Sequence, residues 1–376
     1  MLAPGIIGRM LRIDIAKTPE KTVIAEACKT LAAGGLVIFP TETVYGAGVD
    51  ATNQAAVDKL LAYKSRREGK PLSIAVTDMT MAEEFVELND QARALYAQFM
   101  PGPVTIVSKD KGKLAAGVAS EFGTVGTRIA DYDLVRGMVC AYQRPITATS
   151  ANASGKKRPY SVDDILNNLS EKQKSQIDLI LDAGTLPPNE PSTVIDTTLS
   201  APVTLRTGNL QITPKGDTTK LTSDSETETK HIASRYILKH WNKLHKSGLI
   251  FGLDGPLGAG KTIFAKGVAE FLGITETITS PTYSYIEEYD YTRHQTSGKF
   301  YHLDLWKVET PDEYQRLEIA ELLKANNILV IEWFSQVQAE LETDAAIHNT
   351  PIVHIAITET DNHTRQLAIS ELEPTA

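Results

Sequence analysis

Residues 255–262 read Gly-Pro-Leu-Gly-Ala-Gly-Lys-Thr, which fits the pattern GxxxxGKT. Glycines at these positions allow backbone N–H groups to turn toward phosphates, while Lys261 reaches the β- and γ-phosphates and the Thr262 hydroxyl ligates Mg²⁺. The apolar run at residues 249–253 predicts a buried strand before the loop, and residues 262–272 predict a helix after it. The stretch therefore predicts a P-loop in an α/β domain, with an ATP site formed by Gly255, Gly258, Ala259, Gly260, Lys261 and Thr262.

This loop begins about two-thirds of the way along a chain of 376 residues, which is long enough for two domains with separate cores. The composition, 42% hydrophobic and 23% charged, is typical of a globular protein, and no apolar run approaches the length of a membrane span. Residues 1–10 lack the apolar core of a signal peptide. Cys28 and Cys140 form no metal-ligand pattern, so we expect reduced thiols, a cytoplasmic location and no membrane contact.

The charge and the composition both divide the chain. Residues 1–210 contain as many basic as acidic residues, so the net charge of −9 falls on the remainder. The second half alone is therefore a poor candidate for binding nucleic acid. Because residues 211–230 contain almost no large apolar residues, we predict domains at 1–212 and 231–376 joined by a flexible linker at 213–230.

The first half alternates short apolar runs with helical patterns, which predicts an α/β domain. Predicted strands are 36–39, 72–76, 104–108, 125–129, 146–149, 192–196 and 203–206; predicted helices are 14–32, 53–63, 91–99 and one capped by Ser161. Polar segments at 41–45, 64–66, 124–128 and 150–152 accompany these strands, with Ser192 and Arg206 further on. Cationic side chains together with hydroxyl groups suit an anionic ligand, although roles in helix caps and turns would also explain these residues.

Seven blocks of the first half resemble the YrdC family: PTETVYG at 40–46, KSR at 64–66, KPL at 70–72, PGPVTIV at 101–107, TVGTR at 124–128, TSANASG at 149–155 and STVID at 192–196. The resemblance implies a twisted open α/β sheet. It also implies synthesis of L-threonylcarbamoyl-adenylate and pyrophosphate from L-threonine, bicarbonate and ATP. It implies an ATP site of Lys64, Arg66, Thr124, Asn152 and Arg206 and a threonine site of Thr43, Tyr45, Arg128, Ser150 and Ser192. Lys64, Arg66, Ser150 and Asn152 are the expected catalytic residues. Ala130, Tyr132 and Tyr160 depart from the family pattern at the rim of the pocket.

In the second half, Glu332 ends the apolar run 329–331 and Asp304 ends the run 300–303. An acid at the end of a strand beside a P-loop can hold Mg²⁺ or orient water, although such acids also cap helices. The blocks ITSPTY at 278–283, HLDLWK at 302–307 and IEW at 331–333 resemble the TsaE family of small ATPases, with Pro256 as a departure in the loop. Glu332 and Asp304 are expected to be catalytic, with Thr262 and Glu332 at the metal.

Both resemblances imply one pathway, the formation of N6-threonylcarbamoyladenosine (t6A) at position 37 of tRNA. The first domain would make the activated threonylcarbamoyl group, and the second would use ATP to support a TsaD–TsaB-like transferase complex, so that tRNA is an indirect partner. Two other hypotheses remain open at this point. The chain could be a carbamoyl-adenylating maturation module, or a scaffold that binds RNA or a partner and carries a regulatory ATP site.

Overall fold

The structure, a computed structural model, describes residues 10–64, 72–153, 156–208, 218–281, 284–360 and 364–372. The chain divides into two compact units, the first containing Met1–Thr198 with Thr204–Ile212 and the second containing Leu199–Val203 with Thr213–Ala376. Within the described ranges, no helix is long and apolar enough to cross a membrane.

The first unit alternates strands and helices as the pattern predicts. Its strands are β1 (Leu11–Asp14), β2 (Leu36–Phe39), β3 (Gly46–Gly48), β4 (Ser73–Ala75), β5 (Val86–Glu87), β6 (Val104–Asp110), β7 (Thr124–Arg128), β8 (Ile146–Thr147), β9 (Thr149–Ser150), β10 (Ile177–Asp182), β11 (Thr193–Asp196) and β12 (Val203–Arg206). Its helices are α1 (Glu20–Ala32), α2 (Gln54–Lys64), α3 (Met79–Phe85), α4 (Asp90–Phe99), α5 (Asp133–Tyr142), α6 (Val162–Leu166) and α7 (Glu171–Lys174).

The α/β class is confirmed, and the strands of the first unit form two sheets. Among the described residues, one sheet has the order β1-β10-β2-β3-β9, and the other has the order β12-β11-β6-β7-β4-β8 with β5 beside β6. The predicted strand 146–149 is divided between them. Ile146 and Thr147 pair with β4, whereas Thr149 and Ser150 pair with β3, so the chain passes from one sheet to the other at Ala148.

Helix boundaries follow local chemistry. The helix predicted from residue 14 begins at Glu20, because Pro19 takes an extended conformation at the N-cap and residues 11–14 form β1 instead. The predicted cap at Ser161 is confirmed, since its hydroxyl accepts a 3.1 Å hydrogen bond from the N–H of Asp164.

The second unit consists of one sheet with helices. Its strands are β13 (Thr219–Ser223), β14 (Leu249–Asp254), β15 (Ile286–Arg293), β16 (Thr296–Asp304), β17 (Ile328–Glu332), β18 (Ile352–Glu359) and β19 (Arg365–Leu372). Its helices are α8 (Glu226–Ser247), α9 (Lys261–Leu272), α10 (Pro311–Arg316) and α11 (Gln338–His348), with short 3₁₀ helices at Ile319–Leu322 and Phe334–Gln336. The described strands run in the order β13-β19-β18-β14-β17-β16-β15, which puts the strand before the P-loop at the centre.

The predicted linker at 213–230 is too long. Residues 219–223 form β13, an edge strand antiparallel to β19, and Ser225 caps helix α8, which begins at Glu226. Only Leu221 and Ser223 of this strand are buried, so its polar composition reflects an edge position rather than an unstructured segment. The part of the predicted linker at 213–217 lies outside the described residues.

The junction between β2 and β3 depends on two glycines. A Cβ added at Gly48 would lie 2.6 Å from the ring of Phe39 and 2.8 Å from the carbonyl oxygen of Thr147. A Cβ at Gly46 would lie 2.8 Å from the same ring. The ring of Phe39 therefore covers β3 at van der Waals contact, and a side chain on either glycine would force these strands apart.

We predict that Gly48→Ala destabilises the first unit by about 1–3 kcal/mol, because both the ring and a backbone oxygen would have to move. The measurement is urea unfolding followed by far-UV circular dichroism. Tryptophan fluorescence provides an internal control, because Trp241, Trp306 and Trp333 all lie in the second unit.

Gly137→Ala is the matched control, since the atom nearest its Cβ would be the far end of the flexible Ile24 side chain, at 2.9 Å. A circular-dichroism midpoint that falls no further for Gly48→Ala than for Gly137→Ala would contradict this account of the junction.

Candidate functional site

The C-terminal end of α2 is bonded to the loop that carries Ser150 and Asn152. The Lys64 ammonium donates to the carbonyl oxygens of both residues, at 2.7 Å each. The hydroxyl of the buried Tyr63 donates to the carbonyl oxygen of Ala151, which lies between them. The structure therefore brings the predicted residues Lys64, Ser150 and Asn152 together, whereas Arg66 lies outside the described residues.

Desolvation lowers the pKa of the Lys64 ammonium from 10.5 to about 8. The charged form is disfavoured because the surrounding carbonyl groups stabilise the positive charge less than bulk water would. An anionic ligand at this position would favour the charged form and raise the pKa again. The end of α2 is thus suited to binding an anion.

Strand pairing brings the predicted polar loop at residues 41–45 next to the loop that carries Ser150. Gly46 pairs with Ser150, and the N–H of Ala151 donates to the carbonyl oxygen of Tyr45 at 2.8 Å. Thr43, two residues earlier, is buried with its hydroxyl 3.0 Å from that of Thr41. Ser150 itself is exposed, so a ligand can reach it.

The ring of Tyr45 is fully buried beneath this loop. Its hydroxyl donates to the carbonyl oxygen of Gly184 at 2.9 Å and accepts from the N–H of Ala183 at 2.8 Å. Burial raises the pKa of the hydroxyl to about 12. Tyr45 therefore supports the loop from inside the protein, and its predicted contact with threonine remains a prediction.

Arg128, Ser192 and Arg206 form a second group. Arg206 donates to both the carbonyl oxygen and the hydroxyl of Ser192, at 2.9 Å each, and that hydroxyl lies 3.0 Å from the hydroxyl of Thr105. Desolvation, together with the positive charges of Arg128 and Arg158, lowers the pKa of Arg206 to about 10. The guanidinium groups of Arg128 and Arg158 therefore lie close enough to Arg206 to disfavour its charged form, which an anionic ligand would favour.

Thr124 lies apart from this arginine group. It stands at the other end of β7 from Arg128, about 13 Å along an extended strand at 3.3 Å per residue. Its hydroxyl is buried 2.8 Å from the hydroxyl of Ser120. A contact between Thr124 and ATP remains a prediction.

Sequence reasoning missed Glu42, which lies in the loop between Thr41 and Thr43. Its carboxylate forms an ion pair with the buried guanidinium of Arg128. The available signal was an acid between two threonines in the block PTETVYG.

In the second unit, glycine geometry shapes the P-loop between β14 and α9. Gly255, Gly258 and Gly260 have φ angles of 150°, 82° and 108°, which strongly favour glycine. A Cβ at Gly255 would lie 2.3 Å from the carbonyl oxygen of Ile357. The buried ammonium of Lys261 donates to the carbonyl oxygens of Gly255 and Pro256, at 2.8 and 3.0 Å. These features fit a phosphate-binding loop.

The two predicted acids lie side by side next to the P-loop helix. Asp304 and Glu332 are register partners in the parallel strands β16 and β17, and both are buried. Glu332 Oε1 accepts from the hydroxyl of Thr262 at 2.8 Å and lies 3.0 Å from Nε2 of His302. Asp304 Oδ2 accepts from the hydroxyl of Ser280 at 2.6 Å. The structure thus brings together the predicted residues Thr262, Asp304 and Glu332.

These side chains suit a hard cation. Asp304 Oδ1 is buried and has no hydrogen-bond partner among the residues the structure describes. Mg²⁺ prefers oxygen ligands and keeps several waters, so the Thr262 hydroxyl with the two carboxylates would fit a magnesium ion beside phosphates.

Three residues of the second site were not assigned from sequence. His302, fully buried, contacts Glu332, and Arg365 Nε donates to the carbonyl oxygen of Ala259 in the P-loop at 3.1 Å. The ring of Trp333 lies 4.4 Å from the Lys261 ammonium, and its φ of 65° is left-handed. His302 and Trp333 stand in quoted sequence blocks, whereas the proximity of Arg365 depends on strand pairing that no local pattern reveals.

Comparisons with known proteins agree with this division of the chain. The Sua5/YciO/YrdC family model, described as "Telomere recombination", matches residues 29–208. The TsaE model, described as "Threonylcarbamoyl adenosine biosynthesis protein TsaE", matches residues 223–367.

Two curated relatives each match about half of the chain. A curated relative from Methanocaldococcus jannaschii is 33% identical over 209 residues, which cover 55% of this chain and 97% of that protein. Threonylcarbamoyl-AMP synthase from Pyrococcus abyssi is 33% identical over 201 residues, 53% of this chain and 58% of that protein. The crystal structure of Pyrococcus abyssi Sua5 complexed with L-threonine is similar in fold, with a TM-score of 0.50 and 22% identity over 92% of this chain and 99% of that one.

The fold and the site define a two-unit α/β enzyme with a group of cationic side chains in the first unit and a P-loop in the second. The chain belongs to the Sua5/YrdC family of threonylcarbamoyl-AMP synthases and carries a TsaE ATPase domain after it. Both parts belong to threonylcarbamoyladenosine biosynthesis in tRNA modification.

The contact between Lys261 and Trp333 predicts an optical signal. When phosphates draw the ammonium of Lys261 away from the ring, the emission of Trp333 should change and should saturate with nucleotide. Lys261→Ala should weaken nucleotide binding at the second unit by at least about tenfold, because it removes a charged contact to phosphate. The measurement is a fluorescence titration with ADP or ATP.

Trp333→Phe is the control and should remove the signal without removing binding. A response that persists in Trp333→Phe would contradict the assignment.

Proposed function

We propose that the first unit makes L-threonylcarbamoyl-adenylate and pyrophosphate from L-threonine, bicarbonate and ATP. The observation that carries this proposal is the convergence of Lys64 and the Ser150–Asn152 loop at the end of α2 in a unit that also holds the arginine group around Ser192. Family membership and the L-threonine complex of Pyrococcus abyssi Sua5 support the choice of amino acid.

The reaction needs positive charge more than it needs covalent help. The amine of threonine takes up carbon dioxide from bicarbonate to form a carbamate, and a carbamate oxygen attacks the α-phosphate of ATP as pyrophosphate leaves. Lys64 and Arg206 would neutralise phosphate oxygens, with Arg66, Thr124 and Asn152 as further ATP contacts. Arg128 would hold the threonine carboxylate, with Thr43, Ser150 and Ser192 beside it.

The second unit would bind and hydrolyse ATP. Lys261 and the loop glycines would hold the phosphates, while Thr262, Glu332 and Asp304 would hold Mg²⁺ and orient water. Its proposed role is to support or reset a TsaD–TsaB-like transferase complex that receives the activated threonylcarbamoyl group and acts on tRNA. The TsaE family match supports this role.

Pyrophosphate release by the full chain, measured with ATP and bicarbonate in the presence and absence of L-threonine, tests the proposal. We expect threonine-dependent release that falls about 100-fold or more in Lys64→Ala, because a charge aimed at the reacting phosphates is lost. Lys59→Ala on the same helix is the control. Lys59 forms a solvent-accessible pair with Asp178 at 2.8 Å, and such pairs are worth about 0–1 kcal/mol.

Release that is indifferent to threonine, or that is equal in the two lysine variants, would refute the synthase assignment.

A further inference from the structure

Glu42 and Arg128 form an enclosed ion pair in the first unit. Their side chains are only 16% and 7% exposed, and a terminal guanidinium nitrogen of Arg128 contacts Oε1 of Glu42. The backbone of Glu42 is also fixed, because its carbonyl oxygen accepts a 2.9 Å hydrogen bond from the side chain of Asn189. Glu42 is therefore held in place by contacts at both its carboxylate and its backbone.

The pair is incompletely satisfied. Among the residues that the structure describes, neither Arg128 Nε nor Glu42 Oε2 has a hydrogen-bond partner, although both atoms are buried. A buried donor or acceptor atom without a hydrogen-bond partner is unfavourable, so a ligand that supplies the missing partners would be favoured. One unsatisfied atom is a cationic donor and the other is an anionic acceptor.

The surroundings add polar groups and positive charge. Arg128 lies close enough to Arg206 to depress the latter's pKa. The hydroxyl of Ser192, which accepts from Arg206, lies 3.0 Å from that of Thr105. A cluster of arginines alone would accept any carboxylate or phosphate, whereas a fixed carboxylate beside Arg128 repels phosphates and attracts a cation.

We infer that Glu42 and Arg128 together recognise the zwitterionic head of an α-amino acid, with Arg128 on the carboxylate and Glu42 on the ammonium. Glu42 is then a specificity-determining residue that keeps phosphates and 2-hydroxy acids from the amino-acid site. This inference rests on the proposed function, because it assigns a role within the threonine site.

The test is calorimetric binding of two ligands to the full chain: L-threonine, and the 2,3-dihydroxybutanoate of the same configuration, in which a hydroxyl replaces the ammonium. The unmodified protein should bind threonine at least about tenfold more tightly than the hydroxy acid. In Glu42→Gln the Kd for threonine should rise by about tenfold or more, while the Kd for the hydroxy acid stays the same or falls.

Glu42→Asp keeps the charge and should retain part of the preference for threonine. Glu83→Gln is the matched control, because Glu83 forms a more exposed ion pair with Arg93 in the same unit. This substitution should leave both affinities unchanged.

Equal affinity of the unmodified protein for the two ligands would overturn the inference without any variant. An unchanged preference for threonine in Glu42→Gln would also overturn it. So would an equal loss of affinity for both ligands, because Glu42 would then act only by orienting Arg128. Threonine-dependent pyrophosphate release by the unmodified protein separates these results from a failure of the proposed function.

Discussion

Three consecutive carbonyl groups, those of Ser150, Ala151 and Asn152, accept hydrogen bonds from Tyr63 and Lys64 at the end of α2. The rest of the first site depends on this contact. The loop follows the point at which the chain passes from one sheet to the other, so the bonds join a helix to the junction of the two sheets. They also fix the Lys64 ammonium where an exposed hydroxyl, that of Ser150, is accessible to a ligand.

The electrostatics of the first unit favour a ligand with negative charge. Lys64 and Arg206 both have lowered pKa values because their charges are partly desolvated, and Arg206 is further affected by neighbouring arginines. A cation that is partly desolvated is less stable than in water, so stability of the fold does not explain these two cations. They are typical of a site whose ligand carries the opposite charge, as ATP and a threonine carboxylate do.

The predictable features were those that depend on local sequence. The P-loop, the strand before it and the helix after it follow from eight residues and their apolar flanks, and the positions of Asp304 and Glu332 at strand ends follow from the apolar runs before them. The division into two sheets could not be predicted, because it depends on which distant strands accept residues 146–150. The strand at residues 219–223 was missed for the same reason. Its polar sequence resembles a linker, and its partner β19 is almost 150 positions away. The burial of Glu42 likewise depends on Arg128, 86 residues later.

The central claim is that one chain contains two ATP sites with different chemistry, of which only the first makes the adenylate. The most direct measurement is mass-spectrometric quantification of threonylcarbamoyl-adenylate formed by Lys261→Ala from threonine, bicarbonate and ATP. The account predicts as much product as the unmodified protein makes, because Lys261 lies in the P-loop of the second unit. Loss of the product in this variant would contradict the claim, since it would mean that the P-loop takes part in the synthesis itself.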